Sequence, residues 1–479
     1  MSGSLFSSLQ LPPFRSRQIP LRNDFSLGPH CGTITAFEFK LLPGELRTQS
    51  MENTTARPVS EGSAPEKTQT GALITLTSLF FMWGFCTVLN DIVSPHLQSI
   101  FNLSYKQASL VQFAFFFAYF IFSIPAAKLI DATSYKTSIV FGLLTMAAGA
   151  FLFIPAATAA SFNLFLGALV VLAAGITVLQ VAANPYVAVL GPAKTASSRL
   201  NLTQAFNSLG TTIGPLIGGM LILSTTAKSA AELNLLSPEA LQAYKVEQVS
   251  SVKTPYIFIG LLLVALAMVI YFLRLPAIPQ AQRKGHTPGV SLWKYRHLVL
   301  GVVGIFVYVG AEVAIGTFLI KYFHLHEIGD LPEAQGARLV AYYWGGAMIG
   351  RFIGSAILQK VKAGTVLGIA AFCASALVLT SMLTSGHIAM ASIILVGFFN
   401  SIMFPSIFTL GIAELGPLTG DGSGLLIMAI VGGAIIPLLF GALADMPAVG
   451  LHHAFILPAV CYLYIAYYGL SGSRPRAVQ

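Results

Sequence analysis

The chain has 479 residues and a formal net charge of +9, yet only 9% of its residues are charged and 55% are hydrophobic; its mean hydropathy is +0.76. A soluble domain carries about 25% charged residues, so this chain cannot cover a water-facing surface and lipid must be its solvent. Backbone groups in lipid are satisfied only by helices or closed barrels, and apolar runs of about 20 residues without period-2 alternation exclude the barrel.

Residues 1–70 are polar, rich in Ser, Pro, Thr and Arg, and contain no apolar core of a cleavable signal peptide. They read as a disordered cytoplasmic segment. A more ordinary short tail begins at Met51, so residues 1–50 read as a dispensable extension or a mis-called start. Apolar helices are then expected at 71–100, 107–127, 137–158, 162–190, 201–223 and 255–273, and again at 297–322, 335–358, 364–384, 388–412, 422–444 and 453–471. The polar loop 224–253 has room for a short helix. The basic connector 274–295 divides two six-helix bundles, 71–273 and 296–471, and a short tail, 472–479, follows. The expected fold class is thus an all-α, multi-pass membrane protein of twelve transmembrane helices in two halves.

One set of loops holds Lys128, Lys136, Lys194, Arg199, Arg274, Arg283, Lys284, Lys294, Lys360 and Lys362, whereas acids such as Glu232, Glu239, Glu247, Asp330 and Glu333 sit in the opposite set. Basic loops stay in the cytoplasm, which places both termini there and explains the net charge without any nucleic-acid partner. Cys86, Cys373 and Cys461 lie in apolar runs and, with Cys31, show no paired spacing, so they read as packed thiols. There is no Walker A loop for ATP and no HExxH zinc site, and His452-His453 reads as a structural pair.

An internal repeat runs through the helices. Gly210, Pro215 and Gly219 recur as Gly432, Pro437 and Gly441, and Pro185 with Gly191 recurs as Pro405 with Gly411, both at an offset of about 220 residues. Parallel repeats of this kind place a substrate site between the halves, near the membrane midplane. The same offset relates Asp91 to Glu312 and Gln180 to Asn400, so these residues are expected to face one another across a central cavity.

A carboxylate at mid-bilayer costs about 2.5–3.5 kcal/mol on insertion scales, so it needs a cavity, a partner or a proton. Asp91 and Glu312 are therefore the candidates for cation coupling, either by exchanging a proton or by helping to bind Na⁺; a structural ion pair is the alternative. Arg351 is a candidate to pair with either acid, to donate to a substrate hydroxyl, or to snorkel to the cytoplasmic face. Six amides lie within apolar helices: Asn90, Gln180, Asn184, Gln204, Asn207 and Asn400. Gln180 with Asn184, and Gln204 with Asn207, have the spacing of one helix face. Amides both donate and accept, which suits paired sugar hydroxyls, although interhelical glue is the competing role. Phe81, Trp83, Phe113, Tyr119, Tyr342, Trp344 and Phe404 are aromatic candidates to cover a sugar ring.

The stretches Leu89-Asn90-Asp91, Ala182-Ala183-Asn184-Pro185-Tyr186-Val187 and Arg199-Leu200-Asn201-Leu202-Thr203-Gln204-Ala205-Phe206-Asn207-Ser208 are more specific than generic membrane patterns. Through them the chain resembles the major facilitator superfamily over 71–471 and, within it, the fucose:proton symporter family. It is most similar there to bacterial glucose/galactose transporters, through Gln180-Val181-Ala182-Ala183-Asn184-Pro185 and Tyr308-Val309-Gly310-Ala311-Glu312-Val313. The resemblance implies that Asp91 matches one of the two functional carboxylates of the fucose permeases. The other falls on Gln180, which cannot ionise, and the permease tyrosine of helix 10 is replaced by Phe404. Glu312 then takes over the missing acid's share of coupling, while Asn184, Gln204 and Asn207 match cavity-lining positions.

The expected function is cation-coupled uptake of hexose, glucose and galactose, by a monomer in the bacterial inner membrane. It needs no cofactor, uses H⁺ or Na⁺ as coupling ion, and has sugar and membrane lipid as its partners. The alternatives are an L-fucose or amino-sugar symporter, a sugar-efflux protein, and a non-transporting sugar sensor on the same scaffold. An intramembrane enzyme lacks any catalytic constellation.

Overall fold

Twelve helical segments follow the apolar runs in order in a computed structural model that describes residues 67–101, 105–159, 161–222, 237–276 and 291–475. They are α1 (Thr70–Phe101), α2 (Tyr105–Ala132), α3 (Tyr135–Thr158), α4 (Phe162–Val189), α5 (Ala196–Ile222), α6 (Pro238–Phe272), α7 (Arg296–Phe323), α8 (Glu333–Ile357) and α9 (Ala363–Leu383). The last three are α10 (Gly386–Gly411), α11 (Gly416–Ala444) and α12 (Gly450–Gly472). Among the described residues there is no strand. Nine of the helices, all except α1, α5 and α8, are long and apolar enough to cross a membrane over their described residues. The described apolar part of α1 ends at Phe85, while α5 and α8 interleave polar residues that are used against other helices. Residues 1–66, the linker 277–290 and the tail 476–479 lie outside the described residues. The α5–α6 connector departs from expectation: α6 starts at Pro238, capped by Ser237, and runs without interruption into the apolar span.

Packing follows two sets of neighbours. In the first, α3 and α4 pair closely, α1 lies along α5, α6 along α3, and α2 along α4. In the second, α9 packs on α10 and α12, α8 on α10, and α7 on α10, α11 and α12. The repeat seen in the sequence has a physical counterpart here. Gly210 of α5 abuts the Phe81 carbonyl of α1, and Gly432 of α11 abuts the Phe306 carbonyl of α7. A Cβ at either glycine would collide with backbone, which cannot yield as a side chain can, so each glycine lets two helices touch.

The prolines tell the same story. A proline within a helix has no N–H for the carbonyl four residues earlier. Pro185 frees the Val181 carbonyl in α4, and Pro405 frees the Ser401 carbonyl in α10. Buried carbonyls need donors, and both have them: Ser423 Oγ of α11 donates to Val181 O at 2.9 Å, and Arg351 Nε of α8 donates to Ser401 O at 3.2 Å. The helices respond differently, since α4 stays continuous while α10 is interrupted between Asn400 and Met403.

The two sets meet where α2 and α4 contact α11 and where α5 contacts α8 and α10. At the end that carries the basic connectors, hydroxyls make the junction. Ser198 Oγ donates to Ser355 O at 2.7 Å, Ser355 Oγ donates back to Ser198 O at 3.1 Å, and Ser197 pairs with Thr409. Arg199 was expected in a loop as an orientation signal, but it is buried in the first turn of α5. It donates to the carbonyls of Val187, Ala188, Gly191 and Pro192 and to Thr195 Oγ1, closing the end of α4. At the opposite end His452 is structural, as expected: its ring nitrogens lie 3.0 Å from Glu327 Oε1 and 3.2 Å from Ser381 O. Cys373 and Cys461 are free thiols.

Candidate substrate and coupling site

Tyr308 and Glu312 are four residues apart on α7 and so share a helix face. The Tyr308 hydroxyl lies 2.8 Å from Glu312 Oε1 and 3.1 Å from the carbonyl of Asn400, the last residue before the α10 interruption. The next carbonyl, that of Ser401, is held by Arg351. The interruption is therefore stitched by one side chain from α7 and one from α8. Arg351 Nη1 also reaches Ser208 Oγ on α5, across to the other set of helices. Arg351 acts on Glu312 through space without a direct ion pair among the described residues. Arg351 is thus held inside the bundle by Ser401 and Ser208.

Asn400 Nδ2 donates to Tyr343 Oη of α8 at 2.7 Å, and Gln180 Nε2 donates to Tyr119 Oη of α2 at 2.7 Å. The same amide–phenol bond thus occurs twice, at repeat-related positions. Each amide is engaged within its own set of helices, and both side chains are buried. Asn400 Oδ1 and the buried Tyr462 hydroxyl both lack a partner at hydrogen-bond distance, although the two side chains act on one another.

The remaining amides differ in their freedom. Gln204 is nearly buried, and among the described residues its side chain has no hydrogen-bond partner. Asn207, on the same face, donates to Phe80 O at 2.9 Å, and its oxygen has no hydrogen-bond partner among the described residues. Asn184 is fully buried, with neither side-chain atom partnered among the described residues. The indole N–H of Trp83 on α1 is likewise buried without a partner. An unpartnered buried amide costs about 1–3 kcal/mol, so this is polar capacity without an internal use. Asn90 and Asp91 fall within α1, but their side chains lie outside the described residues. Among the aromatic candidates, Tyr119 is committed to Gln180, and Trp344 packs over Gly316. Phe404 stacks with Phe408. Among the described residues no group of three or more His, Cys, Asp or Glu could hold a metal ion.

Sequence reasoning missed Tyr308, Tyr343 and Ser208. Tyr308 carried a usable signal in its i, i−4 spacing from an intramembrane acid. The serine carried none, because isolated hydroxyls are common in membrane helices.

Residues 72–438 match the Major Facilitator Superfamily. The chain is 50% identical over 421 residues to the "Glucose/galactose transporter" of Brucella abortus, covering 88% of this chain and 98% of that protein. It is 38% identical over 427 residues to the "L-fucose-proton symporter" of Escherichia coli, covering 87% and 96% respectively. Among solved structures it is similar to the crystal structure of the major facilitator transporter FucP in the outward conformation. The TM-score is 0.78 and the identity 38%, over 83% of this chain and 97% of that one.

Proposed function

We propose, for a chain that belongs to the major facilitator superfamily, the role of a proton-coupled symporter that takes up glucose and galactose. The observation that carries this reading is Glu312: an acid within a membrane-crossing helix, hydrogen-bonded to a phenol, within electrostatic reach of Arg351 and connected through it to Ser208 in the opposite set of helices. Such an acid is a functional residue by default, and it gives a proton a place to bind where the two halves meet.

In this reading Asp91 and Glu312 carry the proton, and Asn90, Gln204 and Asn207 bind the sugar with Arg351. Gln180, Asn184 and Asn400 shape the wall around it. The 50% identity to a glucose/galactose transporter supports the sugar, and the proton named for the fucose symporter supports H⁺ over Na⁺. The bundles 71–273 and 296–471, joined by the linker 274–295, rock about the central site. The protein acts as a monomer in a bacterial inner membrane with both termini cytoplasmic. The hydroxyl junction then closes the cytoplasmic end, which fits the likeness to an outward-facing structure.

The test is uptake of labelled glucose, galactose and fucose into proteoliposomes, with pH and Na⁺ gradients imposed separately. Accumulation of glucose and galactose under a pH gradient alone is expected, and its loss in Glu312→Gln. Accumulation of fucose in preference to hexose, or dependence on Na⁺, would overturn the reading.

A further inference from the structure

The Tyr308 hydroxyl has one proton and two acceptors, Glu312 Oε1 at 2.8 Å and Asn400 O at 3.1 Å. It serves both bonds fully only if Glu312 is itself a donor. An ionised Glu312 has no proton to give, so the phenol O–H points at the carboxylate and Asn400 O is left with a weak share of that bond. A neutral Glu312 donates its carboxyl proton to Tyr308 Oη, and the phenol proton turns wholly to Asn400 O. From this geometry we infer that Tyr308 is the positioning residue that converts the protonation of Glu312 into a mechanical state of the α10 interruption. The inference rests on the proton-symport reading above.

The proton balance is simple. One proton enters from water onto the carboxylate and leaves by the reverse step, and Tyr308 keeps its own proton throughout while changing acceptor. In the neutral state α7 is bonded to α10 at Asn400, and Arg351 is free to hold Ser401 O and Ser208. In the ionised state the bond to Asn400 slackens and the new negative charge draws Arg351 away from Ser208. Loading a proton thus tightens the α5–α8 contact between the halves, and releasing it loosens that contact.

The surroundings leave few other groups to do this. From α8 the side chains acting on Glu312 are Arg351 and the Tyr343 phenol, and from α12 the Tyr462 phenol with Cys461 beside it. The ionisable residues of α10 and α11 are His387 and Asp421, both close to helix ends. The repeat offers no second copy of the device. The position related to Tyr308 is Thr87 of α1, whose hydroxyl is bonded to the carbonyls of Trp83 and Gly84 in its own helix.

The experiment compares Tyr308→Phe, Ser208→Ala and Glu312→Gln in proteoliposomes. Both pH-gradient-driven glucose accumulation and gradient-free counterflow are measured over a pH series, after melting curves confirm folding. In Tyr308→Phe the ratio of driven accumulation to counterflow is expected to fall at least about tenfold, with a flattened pH profile of counterflow. Ser208→Ala is expected to flatten the same profile, and it keeps the test decisive if the phenylalanine variant does not fold. Wild-type pH profiles in both variants, with driven accumulation abolished in Glu312→Gln, would overturn the switch and leave the symport reading standing. Driven accumulation intact in Glu312→Gln would overturn both.

Discussion

Removing both hydroxyls of the Ser198–Ser355 pair is expected to loosen the end of the molecule that carries the basic connectors. The two serines exchange reciprocal bonds to each other's carbonyls at 2.7 and 3.1 Å, joining the first turn of α5 to the last turn of α8. A net hydrogen bond contributes about 0.5–1.5 kcal/mol, so the pair is worth about 1–3 kcal/mol. That corresponds to roughly 5- to 150-fold in the equilibrium between closed and parted ends. Alanine leaves both carbonyls buried, which pushes toward the upper figure unless water enters. Spin labels at Lys194 and Lys360, both exposed on the connectors concerned, report the separation by pulsed dipolar spectroscopy. The double variant should show a longer-distance population that the parent lacks under the same conditions. An unchanged distance distribution would refute the idea that these bonds hold the end shut.

Three further outcomes are expected. Pro405→Ala supplies an N–H for the Ser401 carbonyl, so melting temperature should rise, by about one net hydrogen bond, about 0.5–1.5 kcal/mol. Arg351 then shares its acceptor with that N–H, so driven uptake should fall; a lower melting temperature or full coupling would contradict this. Arg199→Ala removes a buried charged donor from five acceptors around the end of α4 and should cost at least about 3 kcal/mol. Arg199→Lys should recover only part of the melting temperature in detergent, because a point charge cannot reproduce the guanidinium fork. Gln204→Leu removes no internal hydrogen bond, so it should leave melting unchanged while raising the half-saturation for glucose about fivefold to tenfold.

The helix order, the repeat and the acid in α7 were legible because each rests on a local signal: hydrophobic length, glycine and proline spacing, or a charge where lipid forbids one. The start of α6 was not, because a polar sequence such as Glu239-Ala240-Leu241-Gln242 supports either a loop helix or the extension of a span, and packing decides. Arg199 was misread because positive-inside reasoning counts a basic residue without asking whether free carbonyls surround it. The partners of Gln180 and Asn400 were not legible for a related reason. The offset correctly related the two positions, but each amide met a tyrosine one helix away, and a bond at 2.7 Å inside a bundle outcompetes an open cavity.

The proline pair shows how one duplicated feature supports two different jobs. Pro185 and Pro405 each free a carbonyl, and each carbonyl needs a donor from another helix. In α4 the donor is Ser423, a neutral hydroxyl that also ties the two sets of helices together. It cannot ionise in the membrane, so the joint it makes does not respond to protons. In α10 the donor is Arg351, whose permanent charge feels whatever happens at Glu312. The adjacent Asn400 carbonyl is held by a phenol that Glu312 also engages. A repeat in backbone geometry therefore becomes an asymmetry in chemistry: the freed carbonyl meets a neutral hydroxyl in the first half and a guanidinium in the second. An acid at position 180 would meet no such arginine on the Val181 carbonyl, which Ser423 holds, whereas the acid in α7 lies near one. That is a physical reason for the second acid to sit in α7 and for position 180 to carry an amide.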